Sequence, residues 1–245
     1  MNEAVVEPRT PDGVMPTHTF NPGPGKQYPA VILFMDGLGV RDALIGMARR
    51  LASHGYFVAL PNLFYRSGPF APFDPATVWG NPDERARLMG IMKAVTPAGV
   101  TADTSTVLDM LKSNPSVGLR KVGTVGYCMG GGHALRAAGA FPDRVFAAAS
   151  YHGGNLATDA PDSPHVSAAK ARCRLYIGYA ENDTSFPEAQ RDRLDTALTD
   201  AHVPHAIELY HGAHGFTMTD FPVYNEEAAE RHWATLLALF KDSLS

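Results

Sequence analysis

Only two cysteines occur in the chain, Cys128 and Cys173, too few for a disulfide framework. No apolar run approaches the roughly 20 residues needed to span a bilayer. The start, Met1-Asn2-Glu3-Ala4, is acidic and lacks the basic and apolar blocks of an export signal, so cytoplasmic residence is expected. A surplus of positive charge is also missing: 21 Lys and Arg stand against 25 Asp and Glu, for a net charge of -4. That balance excludes the basic footprint of a nucleic-acid binder, and no membrane partner is expected either. No internal repeat or long linker divides the 245 residues, so one domain over 1–245 is expected, a monomer or small homo-oligomer.

What is present is an alternation of apolar strands and amphipathic helices. Residues 1–29 are rich in Pro and Gly, with Pro11-Asp12-Gly13 as a turn that could close an edge hairpin. Ala30 to Met35 is a continuous apolar run, the pattern of a strand buried on both faces. A helix follows over about Asp42 to Ser53, then a strand at Tyr56 to Pro61. Residues 62–98 break the rhythm, with Pro69, Pro72, Pro75 and Pro82 interrupting several aromatics, Trp79 among them. This insertion either covers the sheet end as a pocket wall or is a surface loop clamped by its aromatics. Helix Thr101 to Ser113 comes next. Beyond residue 121 the sequence predicts strands at 145–150, 174–179 and 205–210. It predicts helices at 188–199 and 224–239. Such alternation predicts an α/β fold with a mainly parallel central sheet and helices on both faces.

The segment from Lys121 to Gly132 reads as a β-branched strand, a sharp turn and the start of a small-residue helix. Gly126-x-Cys128-x-Gly130 is the nucleophile-elbow pattern with cysteine in place of serine. Glycines are needed there because helix and strand approach closely around a strained residue. The turn lifts Cys128 above the sheet and sets the Met129 N–H at a helix N-terminus, where it can donate to an oxyanion. A buried structural cysteine in a glycine-rich turn is the alternative.

In an open parallel sheet the site collects at the carboxyl ends of the strands. Taking those ends in order gives Asp36-Gly37, Cys128, His152, Asp183 and His214. Nucleophile, acid and base thus follow the chain order of the α/β-hydrolase fold. Cys128 would attack, His214 would shuttle the proton, and Asp183 would orient the imidazole. The N–H groups of Met129 and Gly37 would form the oxyanion hole, each donor typically worth about 3 kcal/mol of barrier. His211 and His214, or His202 and His205, lack a completing Cys or carboxylate cluster, so no metal site is expected. Cys173 begins a strand and reads as a small buried hydrophobe. His152 could line the pocket or bond a loop, and Tyr127 could face the site or pack beneath it.

The chain resembles the dienelactone hydrolase family, within the α/β-hydrolase fold. The resemblance is carried by Gly126-Tyr127-Cys128-Met129-Gly130-Gly131, Met35 to Val40, Pro61 to Arg66, Glu181-Asn182-Asp183 with Pro187, and His214-Gly215-Phe216. It covers about residues 30–240. It implies an α/β-hydrolase domain without a large separate lid. The implied reaction is cofactor-independent hydrolysis of a small-molecule ester or lactone through a thioester on Cys128.

Two departures bear on that implication. The family carries Glu at the position of Asp36, where it contacts the resting thiol and governs thiolate formation. Asp36 therefore either controls the thiol or caps its own loop. The family also grips a substrate carboxylate with two arginines. One position is Met218 here, and the other matches Arg87. A substrate less anionic than dienelactone is thus expected, against Arg87, Trp79, Phe216, Met218, Tyr127 and His152. A thioesterase, peptidase or organophosphate hydrolase could use the same machinery. A non-catalytic binder, or a redox sensor with Cys128 reversibly oxidised, is the reading outside hydrolysis.

Overall fold

The long strand β7 (Val117–Tyr127) runs through the middle of an eight-stranded sheet and delivers Cys128 at its carboxyl end. The computed structural model describes residues 1–244, with side chains for all of them except Leu119 and Arg120. Ser245, the last residue of the expected domain, lies outside the described residues.

Before β7 the chain supplies β1 (Asn2–Val6), β2 (Arg9–Thr10), β3 (Gly13–Val14), β4 (Thr17–Asn21), β5 (Tyr28–Phe34) and β6 (Phe57–Pro61). After it come β8 (Val145–Tyr151), β9 (Arg174–Ala180) and β10 (His205–Tyr210). The sheet order is β1-β4-β6-β5-β7-β8-β9-β10. All pairs are parallel from β6 to β10, and the two pairs involving β4 are antiparallel. The expected N-terminal hairpin has two parts. Residues 9–14 fold into a two-residue ladder around Pro11-Asp12, while β1 and β4 extend the main sheet at its edge.

The helices are α1 (Asp42–Ser53), α2 (Pro82–Lys93), α3 (Pro97–Ser113), α4 (Met129–Ala140), α5 (Pro164–Ala168), α6 (Glu188–Asp200) and α7 (Glu226–Leu244). Side-chain alternation along β7 puts α4 and α7 on opposite faces. Thr124 donates to the Ala134 carbonyl of α4 at 3.2 Å. Its neighbours of opposite parity meet α7: a Cβ on Gly123 would strike Phe240, and the Tyr127 hydroxyl bonds His232. Helix α3 starts four residues earlier than expected, because the Thr96 side chain caps it and Pro97 occupies its first turn. The 62–98 insertion contains a 3-10 turn at Tyr65–Ser67 and the whole of α2, capped by Asn81. Phe73, Val78 and Leu88 of this insertion pack with Leu38 in a small separate core. Among the described residues no helix is long and apolar enough to cross a membrane.

Candidate active site

At the elbow the backbone has no room for a side chain. A Cβ on Gly126 would lie 1.9 Å from the Gly130 carbonyl oxygen, and one on Gly130 would lie 2.4 Å from that of Phe34. Helix α4 can therefore start directly against the sheet. Cys128 is held at φ 53° and ψ -118°, a conformation that costs a non-glycine residue about 1–3 kcal/mol. Its N–H donates to the Tyr151 carbonyl at 3.2 Å, and its own carbonyl accepts from Gly131 at 3.1 Å. Met129 is the first residue of α4, so its N–H belongs to the turn whose donors have no intrahelical partner.

The loops after β9 and β10 bring Asp183 and His214 to Cys128. His214 Nδ1 donates to Asp183 Oδ2 at 2.7 Å, which leaves Nε2 for the Cys128 side chain. Asp183 Oδ1 accepts from the Ser185 N–H at 2.9 Å and from its hydroxyl at 2.6 Å. Burial disfavours charge on His214, but its bonds to Asp183 and Cys128 outweigh it and push the imidazole up to about 10. Burial likewise works against ionised Asp183, yet His214 and Ser185 hold its carboxyl below the usual range. Ser185 is a member that sequence reading missed. The signal was its place two residues after Asp183, within reach of an Asx-type turn.

Cys128, His214 and Trp79 stand between two lobes of a cleft. The larger, about 610 Å³, is also lined by Asp183, Ser185, Met92, Met129, His133 and Arg136. The smaller, about 230 Å³, is lined by Asp36, Gly37, Leu38, Phe221 and Val223. Trp79 is half exposed and brings the 62–98 insertion to the cleft. Gly37 is buried beside Met92, whose sulfur a Cβ there would meet at 3.2 Å.

Several expected site residues make contacts other than the expected ones. Asp36 makes its hydrogen bonds away from the thiol. Its Oδ1 accepts from the Leu38 N–H at 2.9 Å and from Arg41 at 2.7 Å, and its Oδ2 from Arg41 at 2.9 Å. Those contacts are the loop-capping alternative, strengthened by an ion pair. Arg87 turns to its own helix and insertion: it pairs with Glu84, donates to the Ala71 carbonyl and lies over the Phe73 ring. It lines neither lobe. Phe216 is fully buried and stacks on Tyr210, with centroids 5.1 Å apart. Met218 is buried in the main core. Tyr127 packs beneath the elbow, where its hydroxyl donates to His232 Nε2 at 2.8 Å while His232 Nδ1 donates to the Ala229 carbonyl. His152 is buried too, with Nε2 bonded to the Thr217 hydroxyl at 2.7 Å. Its ring lies edge-on to His214 at 5.3 Å, so it supports the imidazole from behind. Phe216, Met218 and Tyr127 follow one rule: closeness in sequence to His214 or Cys128 does not fix which face a side chain takes.

Among the described residues no group of three or more His, Cys, Asp or Glu side chains is placed to hold a metal ion. Cys173 is buried, and burial pushes its thiol up to about 12.

Comparison with known proteins agrees with this architecture. A protein of Synechocystis named "Putative carboxymethylenebutenolidase" is 29% identical over 222 residues, covering 89% of this chain and 87% of that protein. Among solved structures, the "Putative Dienelactone Hydrolase" of Klebsiella pneumoniae superposes with a TM-score of 0.83 over 98% of this chain and 99% of the other, at 23% identity. The dienelactone hydrolase of Anabaena variabilis gives 0.71 over 100% and 99%, at 17% identity. At those identities the structural matches speak for the fold. The sequence profile of the dienelactone hydrolase family matches residues 16–244, nearly the whole length, and the chain belongs to that family.

Proposed function

We propose that this hydrolase cleaves a carboxylic ester or lactone through a thioester on Cys128. The observation that carries the reading is His214, bonded to Asp183 at 2.7 Å, lining both cleft lobes together with Cys128. The Cys128 thiolate attacks the carbonyl carbon, and the electron pair of the C=O bond moves to oxygen. The Met129 and Gly37 N–H groups receive that charge. Collapse breaks the C–O bond, and the alkoxide takes its proton from the His214 imidazolium. For an ester the alcohol departs; for a lactone it stays tethered to the acyl chain. Water then attacks the thioester, gives its proton to His214, and the C–S bond breaks to release the acid and regenerate the thiolate. Two lobes suit a substrate with one group on each side of the scissile bond. Because Met218 is buried and Arg87 turns away, neither takes part in substrate recognition.

The test is turnover of 4-nitrophenyl acetate and a neutral lactone by wild type beside Cys128→Ala and His214→Ala. Loss of activity in both variants, with a trapped acyl group on Cys128 seen by mass spectrometry, supports the reading. Full activity in His214→Ala rejects it. A phosphotriester and a thioester in the same panel would reveal a different scissile bond. Sulfenic-acid trapping on Cys128 without ester turnover would favour redox sensing.

A further inference from the structure

One stripe of α4 faces the larger lobe. Met129, Gly132, His133 and Arg136 all line it, at the i, i+3, i+4, i+7 spacing of a single helical face. Two features of that stripe are not explained by the reaction. His133 is only 7% exposed, and neither ring nitrogen has a hydrogen-bond partner among the described residues. Leaving such a buried polar group unmet is costly, and a bound partner would recover that cost. Arg136 is half-buried, and among the described residues its guanidinium has one hydrogen-bond partner, the Asp162 backbone carbonyl. The Asp162 carboxylate acts on it only through space. A guanidinium carries five N–H donors in a fork matched to a carboxylate, so this one keeps donors beyond the bond to Asp162 on a side chain that lines the cleft.

We propose that Arg136 and His133 form a carboxylate subsite, and that the substrate is an ester whose acyl chain ends in a second acidic group. Arg136 supplies the charge and His133 a neutral N–H donor, since burial pushes its imidazole down to about 3. The spacing sets the chain length. Seven residues of helix separate Met129 from Arg136, roughly 10 Å of rise. The arginine side chain leans back toward the helix N-terminus and shortens that gap. A six-carbon diacid, with five bonds covering roughly 6 Å between its carboxyl carbons, fits the remainder. An acidic group would therefore be recognised from α4 and not from the positions of Met218 and Arg87.

For its kinetic arm this inference rests on the ester-hydrolase reading; for its binding arm it does not. The kinetic arm compares kcat/KM for mono-4-nitrophenyl adipate and 4-nitrophenyl hexanoate. Wild type is expected to prefer the adipate ester at least tenfold. Arg136→Gln should bring that ratio close to one, and Arg136→Lys should retain part of it. A wild-type ratio near one, or a ratio unchanged in Arg136→Gln, overturns the subsite. The binding arm measures adipate by calorimetry on Cys128→Ala. Adding Arg136→Gln should weaken binding at least tenfold, and adding His133→Phe, which keeps the ring contact with Phe34, should weaken it measurably. Adipate that fails to bind, or binds equally well without Arg136, overturns the proposal. If neither ester turns over while adipate binds through Arg136, the subsite stands and the hydrolase reading falls. If both esters turn over alike and adipate does not bind, the reverse holds.

Discussion

Arg41 holds Asp36 with two parallel hydrogen bonds, Nη1 to Oδ1 at 2.7 Å and Nη2 to Oδ2 at 2.9 Å. The carboxylate is 1% exposed and the guanidinium 16%, so the pair sits largely out of water. The same arginine reaches Asp220, through Nε at 2.6 Å and Nη2 at 3.1 Å. It thereby ties the loop carrying Gly37 to the segment after His214, and one cation sets the spacing of two candidate catalytic loops. Removing one partner of a buried pair leaves an uncompensated charge, typically a loss of about 3–5 kcal/mol. Arg41→Met is expected to destabilise the protein by about that amount in urea unfolding. Adding Asp36→Leu should restore much of the loss, because the orphaned carboxylate is gone. A double variant no more stable than Arg41→Met would show that the pair does not act through burial.

Tyr127 sits one residue from Cys128 yet points into the opposite face, toward α7. Tyr127→Phe should cost about 1–3 kcal/mol, since His232 Nε2 loses its donor in a fully buried setting. Ester turnover should stay close to wild type. A raised KM with unchanged stability would instead mean that the hydroxyl faces substrate.

Two glycines make opposite predictions. Gly46 lies inside α1 on the exposed side, and a Cβ there would touch nothing within 4 Å. Gly46→Ala should stabilise by roughly 0.5–1 kcal/mol through helix propensity. Gly126→Ala places its methyl inside the Gly130 carbonyl. It should part α4 from β7 and lose more than about 3 kcal/mol, or fail to give folded protein. Thermal melts of the two variants beside wild type check both.

The parts of this molecule legible in the sequence are those where burial leaves one choice. β5 and β6 are covered on both faces, so nearly every residue is apolar and the runs show plainly. The order Cys128, Asp183, His214 was visible because each follows a strand. Helix α5 was not visible, since five residues carry no helical period. The identity of the pocket wall was hidden for a related reason. Phe216 and Met218 suit a pocket and a core equally, and only the path of 214–225 puts them inside. His133 and Arg136 lie on the same face as Met129, but that face became informative only once the cleft was located beside α4.

The His214–Asp183 bond gives a pH dependence with a defined sign. An unperturbed histidine titrates near 6.5, while folded His214 is pushed up to about 10. The folded state thus binds the proton more tightly than the unfolded chain. This contribution to stability is fully present below about pH 6.5, falls as pH rises, and is gone above about 10. The Asp183 carboxylate and the Cys128 side chain are its sources, working against burial. Asp183→Asn removes the anion, so the His214 midpoint should drop toward or below the unperturbed value in an NMR titration. Denaturant unfolding of that variant should lose the decline between pH 6.5 and 10. Ser185→Ala removes one hydroxyl donor from Asp183 and leaves the backbone N–H bond. Its turnover should fall about tenfold, well short of Cys128→Ala, because the carboxylate that orients His214 is loosened but remains charged. If Asp183→Asn leaves the His214 midpoint in place, the carboxylate does not set the imidazole's charge. The proton shuttle proposed for His214 would then need another source of orientation.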